Sequence, residues 1–274
     1  MNLLSETAVP QLHVIQVNGV TMHCDVRGNG PPLILLHAGT LNADSWQPFL
    51  TAFTAHYRVY TPDSRGHGRS DNPSGAMSFR LLADDIAALV VSLDLHKPMI
   101  AGYSDGGQVA LEIGMRYPDL AGCLIVGGAT FKFSEACFAW VSNVLGAAED
   151  PNVDFAHFER QQPEWADLLQ RIHGPDRWKV LLAQIKPMWT TPLNYTPDDF
   201  ARVSAPTLVM QGDRDEMVPV EEAAEMCRLL PNAELGVIPG ADHGAFFSAR
   251  SAVFQELMLE FLARRGASNP VHLR

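Results

Sequence analysis

The sequence predicts a parallel α/β sheet with helices on both faces, and three observations lead to this fold class. Short apolar runs without polar alternation, such as residues 33–36 and 99–103, are typical of strands buried on both faces. Amphipathic helical patterns, such as residues 79–93 and 105–117, lie between those runs. The two kinds of pattern also alternate along the chain, which is the order expected of a parallel sheet.

The predicted elements follow one another regularly. Residues 12–17 and 21–26 form an expected β-hairpin, because Asn18 and Gly19 between them both tolerate the positive φ of a tight turn. The later predicted strands are residues 33–36, 57–61, 99–103, 124–126, 207–210 and 235–238. The predicted helices that flank them are residues 79–93, 105–117, 221–230 and 247–264.

One segment interrupts the alternation and predicts an insertion. Residues 131–200 contain no convincing strand pattern, but they hold four of the five tryptophans and helical patterns at 138–145, 163–172 and 176–188. We expect these helices to form a cap over the sheet. The predicted organisation is a core built from residues 1–130 and 201–274, with a helical cap at residues 131–200.

Composition and charge narrow the class of protein. The chain has 274 residues and a formal net charge of −11, so it should repel a nucleic-acid backbone. No apolar run is long enough to span a bilayer, and the start lacks the features of a secretory signal. The four cysteines are scattered without a C-x-x-C pair, which is typical of a reducing compartment. We therefore expect a cytoplasmic protein without a membrane or nucleic-acid partner.

The segment Gly102-Tyr103-Ser104-Asp105-Gly106 carries a G-x-S-x-G pattern between a predicted strand and a predicted helix. In that position the pattern predicts a nucleophile elbow, a tight turn that lifts the serine above the carboxyl edge of the sheet. Glycines flank the serine because a Cβ at either position would collide with neighbouring backbone. The first amides of the next helix favour negative charge at the same point. We therefore interpret Ser104 as a nucleophile.

A serine hydroxyl needs a neighbouring base, and ten histidines compete for that role. His243 follows the strand-like residues 235–238 in a short loop before the last predicted helix, so it should lie at the same sheet edge as Ser104. Most of the other histidines, His173 among them, lack this placement, and we interpret them as structural or solvated.

The acid that orients the base should follow another strand. Residues 207–210 lead into a loop that holds Asp213, Asp215 and Glu216. We predict that Asp215 is the orienting acid. Asp213 is the alternative, although its position directly after Gly212 favours a role in fixing the loop.

The oxyanion formed by serine attack needs at least two preorganised donors. The backbone amide of Asp105 is one candidate, and its side chain is interpreted as a first-turn acid that complements the helix dipole. The second donor should follow the strand at residues 33–36. We assign it to the amide of Gly39, with Thr40 as the alternative, and interpret His37 as a residue that braces the loop.

Together these segments resemble the α/β-hydrolase superfamily, in its capped, serine esterase-like branch. The matching segments are, in chain order, His37-Ala38-Gly39, residues 63–70, residues 102–107, residues 212–215 and Asp242-His243-Gly244. The resemblance implies an eight-stranded, mostly parallel sheet whose second strand is antiparallel, with helices on both faces and a cap inserted after the sixth strand. It implies a triad of Ser104, Asp215 and His243.

The resemblance also implies that residues 63–70, with Arg65 and His67, brace the fold beside the site. Family members usually have His-Gly where this chain has His37-Ala38.

The predicted activity is hydrolysis of a small-molecule carboxylic ester or related acyl bond through an acyl-enzyme. Two alternatives stay open, a carbon–carbon bond hydrolase of ring-cleavage diketones on the same triad and a non-catalytic binding protein with this fold. Dehalogenases and epoxide hydrolases of the same scaffold carry an aspartate where Ser104 stands. Trp140, Met188 and Trp189 are candidates to line an acyl pocket, and packing of the cap is an equally good interpretation. No metal or organic cofactor is implied, and the oligomeric state stays open.

Overall fold

A computed structural model describes residues 10–132, 135–248 and 250–266. Its eight strands form one sheet in the order β1-β2-β4-β3-β5-β6-β7-β8. They are β1 (Gln11–Val17), β2 (Val20–Arg27), β3 (Pro32–Leu36), β4 (Arg58–Pro62), β5 (Met99–Tyr103), β6 (Cys123–Gly127), β7 (Thr207–Gly212) and β8 (Ala233–Ile238). Strand β2 is antiparallel to β1 and β4, and the remaining pairs are parallel. The predicted sheet, with its antiparallel second strand, is confirmed.

Tight-turn geometry forms the first hairpin as the sequence predicts. Asn18 and Gly19 have φ values of 43° and 75°, and Val17 pairs with Val20 across the turn. Two consecutive residues with positive φ match the right-handed twist of the flanking strands. The Asn-Gly pair therefore fixes the register of β1 on β2.

Helices cover both faces of the sheet and enclose two apolar layers. The helices of the core are α1 (Gln47–Thr54), α2 (Phe79–Ser92), α3 (Asp105–Arg116), α9 (Val220–Leu229) and α10 (Ser251–Gly266). Phe49 of α1 and Phe254 of α10 belong to one apolar cluster, whereas Ile86, Ile113 and Met226 of α2, α3 and α9 belong to the other. In the described part of the chain, no helix is both long and apolar enough to cross a membrane.

Among the residues that the structure describes, five helices lie between β6 and β7, where the cap is expected. They are α4 (Glu135–Leu145), α5 (Phe155–Gln161), α6 (Pro163–His173), α7 (Arg177–Thr190) and α8 (Pro197–Ala201). Helices α4 to α7 share an apolar cluster that includes Val144, Phe158 and Leu182, whereas Phe200 of α8 packs into the core. We call α4 to α7 the cap. The limits of 131 and 200 for the cap domain stay a prediction.

Three helices of the described chain have no predicted counterpart, and the last helix starts later than predicted. The unpredicted helices are α1, α5 and α8, which are short and offer few repeats of an apolar stripe. The prediction of one helix over residues 247–264 is wrong at its start, because His243–Phe247 is a separate 3₁₀ turn that ends at the non-helical Ser248, and α10 begins at Ser251. The ring of Phe246 stacks on Tyr103 at 4.1 Å, and this contact fixes the turn.

Candidate active site

Ser104 lies at a sharp turn between β5 and α3. Its φ of 55° and ψ of −121° are unusual for a residue with a side chain, and such conformations cluster at functional sites. A Cβ at Gly102 would collide with the carbonyl oxygen of Gly106, and a Cβ at Gly106 would collide with that of Leu36. The two glycines therefore permit the close backbone approach that the turn requires.

The structure brings Ser104, His243 and Asp215 together in one hydrogen-bonded series. His243 Nε2 lies 3.0 Å from Ser104 Oγ, and His243 Nδ1 lies 2.7 Å from Asp215 Oδ2. Ser104 follows β5, Asp215 follows β7 and His243 follows β8, so the carboxyl edge of one parallel sheet positions all three. In this geometry the carboxylate orients the imidazole, which can then take the serine proton.

The carboxylate of Asp215 is buried and held by several donors. One oxygen accepts from the side-chain amide of Gln211 at 2.8 Å, and the other accepts from the backbone amides of Met217 and Val218 at 2.9 Å. Burial alone would raise the pKa of Asp215, but His243 and the two amides outweigh it and lower the pKa below its ordinary value. Asp215 therefore stays ionised beside His243.

Asp213 occupies a different position. Its Oδ1 accepts from the backbone amide of Gly240 at 2.6 Å. That contact ties the loop after β7 to the loop after β8. The structure thus places Asp215, and not Asp213, against His243, and it gives Asp213 the loop-fixing position that the sequence suggested.

The two candidate oxyanion donors lie side by side. Asp105 begins helix α3, and Gly39 fits so closely against the Asp105 carboxyl group that a Cβ at Gly39 would collide with it. Neither backbone amide has a hydrogen-bond partner among the residues that the structure describes. The amide of Thr40, the predicted alternative, donates to His67 Nε2 at 3.3 Å. The geometry thus leaves the amide of Gly39 free and that of Thr40 occupied.

Two cap side chains hold Thr40, and neither contact is predicted from the sequence. His173 Nε2 donates to the Thr40 carbonyl oxygen at 2.7 Å, and Trp165 Nε1 donates to Thr40 Oγ1 at 3.2 Å. Thr40 itself has a φ of 62°, so its backbone conformation is strained for a β-branched residue. We call His173 and Trp165 the cap anchor. They tie the loop that carries Gly39 to the cap.

His173 of the cap anchor and the neighbouring His67 are buried and neutral. His173 Nδ1 accepts from the Gly68 amide at 3.0 Å, and His67 Nδ1 donates to the Arg65 carbonyl oxygen at 2.9 Å. Burial lowers the pKa of His173. Burial also lowers the pKa of His67, and the neighbouring His37 adds to this effect, so that the pKa of His67 lies well below its ordinary value. A neutral ring can donate through one nitrogen and accept through the other, as these contacts require.

Residues 63–70 form the loop that contains His67 and contacts His173 through the amide of Gly68. Arg65 makes a two-point ion pair with Asp85 of α2, with both contacts at 2.6 Å and both side chains buried. Asp63 accepts from the backbone amides of Ala43 and Arg69. This loop therefore joins α2, the segment before α1 and the cap.

The Asp105 carboxyl group makes a further contact with the cap that the sequence does not predict. Both of its oxygens lie 2.9 Å from Nε1 of Trp189, which donates to them from the cap. Burial raises the pKa of Asp105 to about 7, although Trp189 and the nearby His243 act in the opposite direction. The helix-dipole interpretation of this side chain is therefore incomplete, since it also contacts the cap.

A cavity opens beside Ser104, and two of the three predicted lining residues reach it. Trp140 and Trp189 line it together with Gln108. Met188 does not, because neighbouring residues on a helix point about 100° apart. Met188 lines a separate cavity and packs into the core. Among the described residues, no group of three or more His, Cys, Asp or Glu side chains has the arrangement of a metal site.

Comparison with known proteins agrees with this architecture. Residues 33–256 match the sequence model of the alpha/beta hydrolase family. The chain belongs to that family. This α/β hydrolase is 28% identical to a non-heme chloroperoxidase from Kitasatospora aureofaciens, over 89% of this chain and 97% of that protein.

Two further relatives cover almost the whole chain. The α/β hydrolase is 26% identical to a 2-hydroxy-6-oxononadienedioate/2-hydroxy-6-oxononatrienedioate hydrolase from Comamonas testosteroni, over 96% of this chain and 99% of that protein. It also superimposes on a meta-cleavage product hydrolase from Pseudomonas fluorescens with a TM-score of 0.78 and 21% identity, over 92% of this chain and 97% of that one. At that identity the structural match shows the fold.

Proposed function

We propose that this α/β hydrolase cleaves a small-molecule carboxylic ester or related acyl bond through a triad of Ser104, His243 and Asp215. The observation that carries the proposal is the unbroken hydrogen-bonded series from the Ser104 hydroxyl through His243 to Asp215. Such a series is what a serine needs to become a nucleophile near neutral pH. An oxyanion site beside it, at the amides of Gly39 and Asp105, supports acyl transfer.

The reaction proceeds in two halves. His243 Nε2 takes the proton of Ser104 as Oγ attacks the carbonyl carbon, and the amides of Gly39 and Asp105 stabilise the oxyanion. The protonated His243 gives its proton to the departing alcohol, which leaves the acyl group on Ser104. Water then attacks the acyl-enzyme with His243 again as base, and the acid product is released.

The cavity favours an ester over a ring-cleavage diketone. The Comamonas testosteroni relative is named for dicarboxylate substrates. In the described part of the chain, the side chains that line the cavity beside Ser104 include the carboxyl group of Asp105 and no lysine or arginine. A dicarboxylate in this cavity would lack a cationic partner and would face Asp105, which opposes its binding.

A set of p-nitrophenyl esters of increasing chain length tests the proposal. We expect burst kinetics with wild-type enzyme, and loss of both burst and turnover in Ser104→Ala at an unchanged circular dichroism spectrum. A Ser104→Ala variant that turns over the esters at the wild-type rate would rule out the proposed nucleophile. Wild-type protein that hydrolyses neither the esters nor a ring-cleavage diketone, and that resists a fluorophosphonate, would point to the binding-protein alternative.

A further inference from the structure

Gln108 lies one helical turn after Ser104 on α3 and is almost fully buried. Its backbone amide donates to the Ser104 carbonyl oxygen at 2.9 Å, and its side chain lines the cavity that Ser104 also lines. Residues four apart lie on the same face of a helix. The Gln108 side chain is therefore part of the wall against which an acyl group on Ser104 would lie.

A relay of two side chains fixes the orientation of the Gln108 amide. Glu112, one further turn along α3, accepts from the hydroxyl of Tyr195 at 2.5 Å, and Arg80 Nε lies 3.9 Å from the same carboxylate oxygen. A tyrosine hydroxyl has a single proton to donate. Because that proton goes to Glu112, the Tyr195 oxygen acts as acceptor for Gln108 Nε2, 2.9 Å away.

The relay leaves one polar atom of Gln108 unpaired. With Nε2 committed to Tyr195, the remaining atom is the carbonyl oxygen Oε1, which is buried without a hydrogen-bond partner among the described residues. An unpaired buried acceptor costs free energy, so this position favours a ligand that brings a donor. Phe79 and Val141 line apolar parts of the cavity, and the Asp105 carboxyl group that also lines it already accepts from Trp189 at both oxygens.

We infer that Gln108 Oε1 accepts a hydrogen bond from the substrate, so that the preferred esters carry a hydroxyl or N–H group near the scissile carbonyl. Hydroxyacyl and acylaminoacyl esters are the substrate classes that fit. This inference rests on the proposed function, because it places the donor in the acyl group attached to Ser104. It makes Gln108 a specificity residue, with Tyr195 and Glu112 as the residues that orient it.

Matched esters test the inference. The p-nitrophenyl esters of 3-hydroxybutyrate, 3-methylbutyrate and 3-methoxybutyrate offer a donor, an apolar isostere and an acceptor alone, and a second series carries the same groups on C2. Each kcat/KM is divided by the hydroxide-catalysed rate of the same ester. In the series that shows the larger preference, we expect the normalised kcat/KM of the hydroxyl ester to exceed that of both other esters by about tenfold. A site built for a donor discriminates against analogues that lack it.

Two variants and a control locate the effect. Gln108→Met removes Oε1, and Tyr195→Phe keeps the ring but frees the amide to rotate, so both should bring the hydroxyl-to-methyl ratio towards one. Gln170→Met makes the same substitution at an exposed position of α6 and should leave the ratio unchanged. Equal rates for hydroxyl and methyl esters in both series, a preference for the methoxy ester, or a ratio that survives Gln108→Met would overturn the inference. The proposed function would survive these outcomes, whereas it would fail if no ester were hydrolysed.

Discussion

The triad and the oxyanion loop lie next to each other, but different parts of the molecule hold them. Ser104, Asp215 and His243 each follow a strand of the core, and core residues such as Gln211 fix their side chains. The loop that carries Gly39 is held through Thr40 by the cap anchor, His173 and Trp165. The proposed proton relay therefore forms within the core, whereas the proposed oxyanion site depends on the cap being docked.

Substitution of a triad residue should have the largest effect on kcat. We expect Asp215→Asn to lower kcat by about 10⁴-fold, because an amide in place of the carboxylate favours the wrong tautomer of His243. Steady-state hydrolysis of p-nitrophenyl butyrate measures the loss. Asp213→Asn is the matched control, since Asp213 contacts the Gly240 amide and not His243. A drop of similar size in Asp213→Asn would mean that the wrong carboxylate has been assigned.

Substitution of a cap-anchor residue should have an intermediate effect on kcat. Removal of an oxyanion donor typically costs 10²–10³-fold in kcat, so loosening its loop should cost less, roughly 10-fold. We expect Trp165→Phe, which removes the donor to Thr40 and keeps an aromatic ring, to lower kcat with little change in KM. The control is Trp178→Phe, at a buried cap position in contact with Phe155 and Phe158. Equal losses in both variants would indicate general damage to the cap.

The Asp105 carboxyl group lies where the two regions meet, and it should show a pH-dependent effect on stability. Its pKa rises from 3.8 to about 7 on folding, so the folded state holds the proton more tightly than the unfolded state. The stabilisation is complete below pH 4 and is lost as the pH rises to 7. We expect Asp105→Asn to match wild type at pH 4 and to exceed its free energy of unfolding at pH 8.

The gain at pH 8 should be on the order of 2 kcal/mol, after a reduction for solvent screening at the cavity beside Asp105. Urea denaturation at both pH values measures it. The amide still accepts from Trp189 through its oxygen, so the variant isolates the charge. A variant that is equally stable relative to wild type at both pH values would show that Asp105 is not titrated by folding.

The same two regions differ in how well the sequence predicts them. The triad side is predictable because its signals are local: a G-x-S-x-G turn, an acidic loop after one strand and a histidine after the next. The anchor is not, because His173 and Thr40 are 133 residues apart and no periodic pattern links them. The Gln108–Tyr195 contact spans 87 residues and is missed for the same reason.

Within the fold, the buried strands are predicted well because each one is a continuous apolar run that is visible in the local sequence. The short helices α1 and α5 are not, since packing stabilises them more than their own sequence does. Met188 illustrates a choice between pocket and core that the sequence leaves open. Its residue type suits a pocket, but its position on α7 directs it into the core.

Mass spectrometry after treatment with a fluorophosphonate tests most directly whether the core alone activates the serine. We predict a single covalent adduct, mapped to the peptide that contains Ser104, that forms readily in wild type and is strongly reduced in His243→Ala. Trp165→Phe should still form the adduct, more slowly. An adduct on another residue, or one on Ser104 that forms at the wild-type rate without His243, would contradict the account.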